Sequence, residues 1–204
     1  MQRPVRLSYE PPQPLHSLPH VPGEPGIWVL LFGDLAIFSL LFVVYLHHRA
    51  RNPALFSAAQ EGLDRTFGFV NTLILLTASL LVALGAKALR DSRIRHMASS
   101  FAAAGASVGL AFVVIKAIEY HRILSAGTTP STNEFYMYYF VLTGLHLAHV
   151  IVGLIVLVVI SRLVAHPTSS PARISFFEGG ACFFHLVDLL WILIFPLIYL
   201  VRAE

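Results

Sequence analysis

The sequence predicts an all-α, polytopic transmembrane five-helix bundle. Five apolar runs, at 26–47, 67–90, 98–122, 135–163 and 176–201, reach the roughly 20 residues needed to cross a hydrocarbon core. Of 204 residues, 56% are hydrophobic and 12% charged, about half the charged share of a soluble domain. The runs are long and unbroken, whereas membrane-barrel strands alternate apolar and polar residues in short segments.

Taken in order, residues 1–25 form a proline-rich tail with seven prolines, a composition that disfavours helix and predicts an extended segment on the cytoplasmic face. The membrane domain spans 26–201. Its first span opens after Pro25-Gly26 and closes at His47-His48-Arg49. The connection to Thr66 holds an amphipathic piece (Leu55, Phe56, Ala59, Leu63) expected to rest on the outer interface. Asn71, Thr72, Thr77 and Ser79 equip the second span for interhelical hydrogen bonds. The third span opens on small residues, Ala102 to Gly109, that let backbones approach closely. Its far end carries Lys116, Glu119, Tyr120 and His121 before the turn Gly127-Thr128-Thr129-Pro130. Asn133 and Glu134 then suit the start of the fourth span. Pro167 and Pro171 punctuate the last connection, and Pro196 is expected to bend the fifth span unless packing absorbs it.

The net charge of +3 resides in short connections, which points to membrane orientation and away from nucleic acid. Arg3, Arg6, Lys87, Arg90, Arg93, Arg95, Arg162 and Arg173 fall on one side; Arg49, Arg51, Arg65, Arg122 and Arg202 fall on the other. The bias predicts a cytoplasmic N-terminus and an outward C-terminus. No cleavable leader is evident, so the first span is expected in the mature protein. Cys182 is the single cysteine, which excludes an intrachain disulfide or a thiolate cluster. No long extramembrane segment offers a soluble catalytic domain, and no fixed repeat points to an inverted-repeat transporter.

Ionisable groups within the spans are expensive, so each needs a partner or a purpose. Asp34 lies about 12 Å into the first span at 1.5 Å per residue and has no cationic neighbour in sequence. It reads either as an acid bonded to another helix or as a group touching a proton path or lipid. His146 and His149 stand at i and i+3, as do His185 and Asp188. Such pairs share a helix face. They could clamp a transition metal between two helices, or hydrogen-bond across helices; the lack of further ligands on other spans weighs toward the second. Lys116 and Glu119 are expected to pair along the third span, with Lys116 snorkelling outward. Glu178 suits a helix N-terminus, and a deep Trp191 needs an internal acceptor for its indole N–H.

Five segments appear in a telling order: Gly33-Asp34 before an aromatic span, Phe69-Val70-Asn71-Thr72-Leu73, Ile118-Glu119-Tyr120, Thr143-Gly144-Leu145-His146-Leu147-Ala148-His149-Val150, and Phe177-Glu178 with His185, Asp188 and Trp191. Over 26–201 this set resembles subunit III of the haem–copper respiratory oxidases. The resemblance implies a non-catalytic accessory subunit of a bacterial inner-membrane complex, with no catalytic residue, cofactor or metal of its own. Haem, with copper or non-haem iron, would sit in the partner haem–copper catalytic subunit, and phospholipid would be held at the contact. The subunit would stabilise that partner and support proton uptake. By resemblance Asp34 falls where cytochrome c oxidases carry a membrane-buried glutamate. Glu119, His146, His149, Glu178, His185 and Asp188 fall on the family's polar positions inside the bundle.

Many members have seven spans, and this chain starts at what would be their third. The short form, opening Glu24-Pro25-Gly26-Ile27-Trp28, looks most like the branch associated with nitric oxide reductase in denitrifying bacteria, ahead of the quinol and cytochrome c oxidase branches. Two other readings are a transient assembly or maturation factor for such a complex, and a small proton-conducting transporter that uses Asp34, Glu119, His146 and Asp188 as a relay.

Overall fold

A computed structural model describes residues 25–164 and 171–201. The tail before Pro25, the connection 165–170 and Arg202 lie outside the described residues, and the expectations placed on them stop there. All regular structure among the described residues is helical. In chain order it comprises α1 (Pro25–Arg51), α2 (Pro53–Glu61), α3 (Arg65–Arg90), α4 (Ala98–Ser125), α5 (Glu134–Val164) and α6 (Pro171–Phe195). A 3-10 turn, Arg95–Met97, precedes α4, and a π-helical turn, Pro196–Leu200, follows α6. Among the described residues, five helices are long and apolar enough to cross a membrane; α2 is the short exception.

Helices α3, α4, α5 and α6 pack in that order, and α6 returns to α3 to close a four-helix ring. Small residues set the closest wall. A Cβ at Gly105 would meet Val82 Cγ2 at 3.0 Å and the Ala78 carbonyl at 3.2 Å, so α3 and α4 approach as the small-residue stretch predicts. Helix α1 stands outside the ring against α5 and α6. It buries Leu31, Phe38 and Tyr45, one residue every seven, as a single seam. Most of its other apolar side chains look outward, with Val29, Phe32, Leu40 and Val43 at 64–75% exposure. A helix apolar all round is what a lipid-facing span requires.

Local signals act as read from the sequence at two ends. Asn133 Oδ1 accepts from the Tyr136 backbone N–H at 2.9 Å, starting α5. Gly127 takes φ +81°, ending the α4 segment with a conformation that only glycine adopts freely.

Two expectations change. The amphipathic piece does form α2, but its buried side chains, Phe56 and Gln60, face protein. Phe56 packs edge-on against Tyr45 and Phe135, with ring centroids 5.4 and 5.8 Å apart. Pro196 does not simply bend the last span. It lacks an N–H and crowds the preceding turn, and the chain widens into the π turn closed by Val201 N–H to the Pro196 carbonyl at 2.9 Å. Side chains from α1 and α2 then meet the carbonyls of that segment. Tyr45 donates to Leu197 O at 3.2 Å, Arg49 to Val201 O at 2.5 Å, and Gln60 to Leu197 O and Ile198 O at 3.3 and 2.9 Å.

Candidate functional site

The ring interior holds a charged cluster. Lys116 is fully buried, and its ammonium donates to Glu119 Oε2 at 3.0 Å, Tyr139 Oη at 3.2 Å and Tyr199 Oη at 2.7 Å. Both tyrosines donate onward to Glu119 Oε1, at 2.8 and 2.5 Å. Each phenol thus accepts from the cation and donates to the anion. The three donors of the ammonium are all used, and the aromatic faces of Tyr139, Tyr199 and Trp191 lie 4.9–5.3 Å from it. The i, i+3 pairing is as expected; the snorkelling is not. The cluster supplies inside the bundle the partners that a snorkelling lysine seeks in water.

His146 and Trp191 sit beside this cluster. Their rings stack with centroids 5.1 Å apart, and Phe112 meets each edge-on. The Trp191 indole donates to Thr72 Oγ1 at 3.0 Å, the internal acceptor its depth requires. Both ring nitrogens of His146 lack a hydrogen-bond partner among the described residues, as do both side-chain polar atoms of Asn71.

On α6, His185 Nδ1 lies 2.6 Å from Ser79 Oγ, while Asp188 Oδ1 is buried with no hydrogen-bond partner among the described residues. Arg90 grips Glu178 Oε1 with Nε at 3.1 Å and Nη2 at 2.8 Å. Because α6 begins at Pro171, Glu178 stands in its third turn, beyond the strongest field of the helix end. Its stabilising charge comes from Arg90 instead.

The remaining pair lies outside the ring. His149 leaves the face of His146 and turns to α1, where Nε2 stands 3.3 Å from Asp34 Oδ1. Its Nδ1 is 2.8 Å from the Leu145 carbonyl. A carbonyl only accepts, so Nδ1 carries the hydrogen and Nε2 of a neutral ring presents a lone pair to the carboxyl group. A favourable contact then needs one proton between the two residues, as carboxylic acid to imidazole or carboxylate to imidazolium. The two side chains are 16% and 20% exposed. They line a pocket of about 380 Å³ between α1, α5 and α6, whose other walls include Leu30, Val152, Val156, Phe176 and Phe183. The pair thus stands beside an apolar opening.

The geometry divides the sequence candidates. Glu119 joins the central cluster, with His146 and Trp191 stacked beside it. His149 meets Asp34, Glu178 meets Arg90, and His185 meets Ser79. The two-helix metal arrangement is not formed, because His146 and His149 face different neighbours, and among the described residues no three His, Cys, Asp or Glu side chains gather to hold a metal. Tyr139 and Tyr199 were missed as cluster members; tyrosine near a helix end reads from sequence as an interfacial anchor. Their positions opposite a buried lysine become apparent only when α4, α5 and α6 are packed.

Comparison with known proteins decides the family. Residues 24–202 match the model for cytochrome c oxidase subunit III. The chain belongs to the cytochrome c oxidase subunit III family. Cytochrome c oxidase subunit 3 of Synechocystis sp. is 32% identical over 180 residues, covering 86% of this chain and 74% of that protein. Cytochrome bo(3) ubiquinol oxidase subunit 3 of Pseudomonas aeruginosa is 26% identical over 185 residues, covering 87% and 84%. Cytochrome c oxidase subunit 3 of Corynebacterium diphtheriae is 28% identical over 180 residues, covering 87% of each chain. As a subunit III homologue the chain is an integral membrane protein, and its family places it beside a haem–copper catalytic subunit as an accessory component.

In this subunit III homologue, His149→Leu is expected to cost about 1–3 kcal/mol, because it strands the Asp34 carboxyl group in an apolar setting. Thermal unfolding in detergent measures this, and an unchanged midpoint would count against the interhelical contact.

Proposed function

We propose that this chain stabilises a haem–copper catalytic subunit and sustains its proton uptake from the protein–lipid boundary, without carrying out redox chemistry itself. The observation that carries the reading is the Asp34–His149 pair, which needs one shared proton and lines an apolar pocket open to the membrane. Asp34 lies on the half of the bundle that carries the Lys87–Arg95 connection. The positive-inside rule makes that half cytoplasmic, the side from which such complexes draw protons. Neutral alternatives to a charged acid at this depth lower its cost, and a shared proton does so while keeping the proton exchangeable.

The central cluster supports the stabilising half of the role. Its charges are closed on one another, which suits a rigid scaffold better than a relay. The apolar outward face of α1 offers surface to the catalytic subunit and to phospholipid. The motif Glu24-Pro25-Gly26-Ile27-Trp28 favours a partner of the nitric-oxide-reductase type, in a bacterial inner membrane with the N-terminus cytoplasmic.

Mild solubilisation tests the reading directly. The chain should co-purify with a catalytic subunit in constant stoichiometry, and removing it should leave initial turnover near normal while shortening catalytic lifetime. Loss of the chain after maturation, with no effect on lifetime, would make it an assembly factor. The metals in the captured partner, copper or non-haem iron, decide the branch.

A further inference from the structure

At the end of the bundle opposite the Lys87–Arg95 connection, α1 finishes beside the start of α5. Three polar side chains converge there. Glu134 opens α5, and its Oε2 stands 3.5 Å from His48 Nδ1 and 3.3 Å from Asn52 Nδ2. His48 and Asn52 lie one helical turn apart, linked by the Asn52 N–H to the His48 carbonyl at 3.1 Å. A spacing of four residues sets two side-chain donors on one face, as in helical metal-binding pairs.

Both contacts are long for hydrogen bonds to a carboxylate, which close to about 2.7–2.9 Å. They match instead the separation of two donors on one metal ion. Bonds of about 2.1 Å to imidazole nitrogen and carboxylate oxygen, at a tetrahedral angle, set those donors about 3.4 Å apart. Asn52 adds an independent sign. It occupies the N-cap position of α2, yet its side chain makes no cap hydrogen bond; it forgoes a role asparagine fills well and faces Glu134. A half-turn of its amide presents Oδ1, a metal donor, at the same place. The donors are also held from behind. The His48 ring packs on Tyr138 with centroids 5.3 Å apart, Arg49 ties the end of α1 to Val201 O, and the Asn133 cap fixes the first turn of α5. The side chains of His48 and Glu134 are 34% and 44% exposed, so water can complete the coordination shell.

We propose that His48, Asn52 and Glu134 form a site for one divalent metal ion of the zinc class, bridging α1 to α5. The third donor is an amide, so the site lies outside groupings of histidine, cysteine and acid alone. Imidazole among the donors selects zinc-like ions over magnesium and calcium, which take oxygen ligands only. Zinc has no redox chemistry, so the ion acts as a clamp on a helix that stands outside the ring. The inference goes beyond the accessory role and does not depend on it.

Calorimetric titration of the full-length chain in detergent with Zn²⁺ provides the test, with circular dichroism as the check on folding. The wild-type chain should bind Zn²⁺ in the presence of excess Mg²⁺. His48→Ala and Glu134→Gln should each weaken that binding by about tenfold or more, the scale on which even outer-shell partners act. Asn52→His exchanges the amide for a stronger donor and should tighten binding several-fold. Zn²⁺ should also raise the unfolding midpoint of the wild type and leave that of Glu134→Gln unchanged. No Zn²⁺ binding by the wild type, or the same affinity in His48→Ala and Glu134→Gln, would overturn the site. So would an Asn52→His chain that binds no more tightly. If His48→Ala loses its helical signal, Glu134→Gln, which keeps the shape of the side chain, decides the matter. Zinc is titrated on the chain alone, so a failed accessory role leaves this measurement intact.

Discussion

Glu119→Leu should be among the most destabilising single changes in this chain. It would leave the Lys116 ammonium fully buried with only two phenol oxygens as acceptors, and it would deprive Tyr139 and Tyr199 of theirs. Breaking a buried ion pair from one side costs about 3–5 kcal/mol, or on the order of 10 °C in unfolding midpoint for a chain of this size. Removing both charges behaves differently. Lys116→Met with Glu119→Leu should recover most of the loss, because no uncompensated charge remains and the aromatic rings around Nζ pack well on a thioether. Thermal unfolding of the two single variants and the double variant in one detergent gives the coupling energy. If Glu119→Leu unfolds at the wild-type temperature, the cluster is not what locks α4, α5 and α6.

Asp34→Asn should act on function and spare assembly. The asparagine amide can donate to the bare Nε2 of His149, so the contact between α1 and α5 is retained. The shared proton is what disappears. Complex yield and chain stability should therefore stay near wild type, while activity falls several-fold over successive turnovers. Asp34→Glu, which keeps an acid, should retain most of the lifetime. A complex that fails to assemble with Asp34→Asn would make the residue a packing acid, and undiminished turnover would remove proton supply from its role. His149→Leu differs in kind, since it strands the acid and should show in the unfolding midpoint.

Five spans were legible in the sequence because hydropathy over about 20 residues is set by composition alone. The cap at Asn133 and the turn at Gly127 were legible because each depends on residues adjacent in the chain. What could not be read was direction. Residues at i and i+3 share a face, yet His146 turns to Trp191 and His149 to Asp34, because the face of α5 straddles two neighbours. Lys116 looked like a snorkelling residue for a similar reason: two of its three acceptors lie on α5 and on the turn after α6. Family resemblance picked out a set of polar positions; only packing shows which partner each one has.

The contacts of Tyr45, Arg49 and Gln60 with carbonyls at 197–201 bear on biogenesis. Helix α1, translated before α6, has side-chain anchor points on the turn that follows α6. Until α6 and its following turn have been translated and inserted, α1 and α2 have their contacts with α5 but not these carbonyl partners. Quality control then has a natural checkpoint in whether these distant segments of the chain have met.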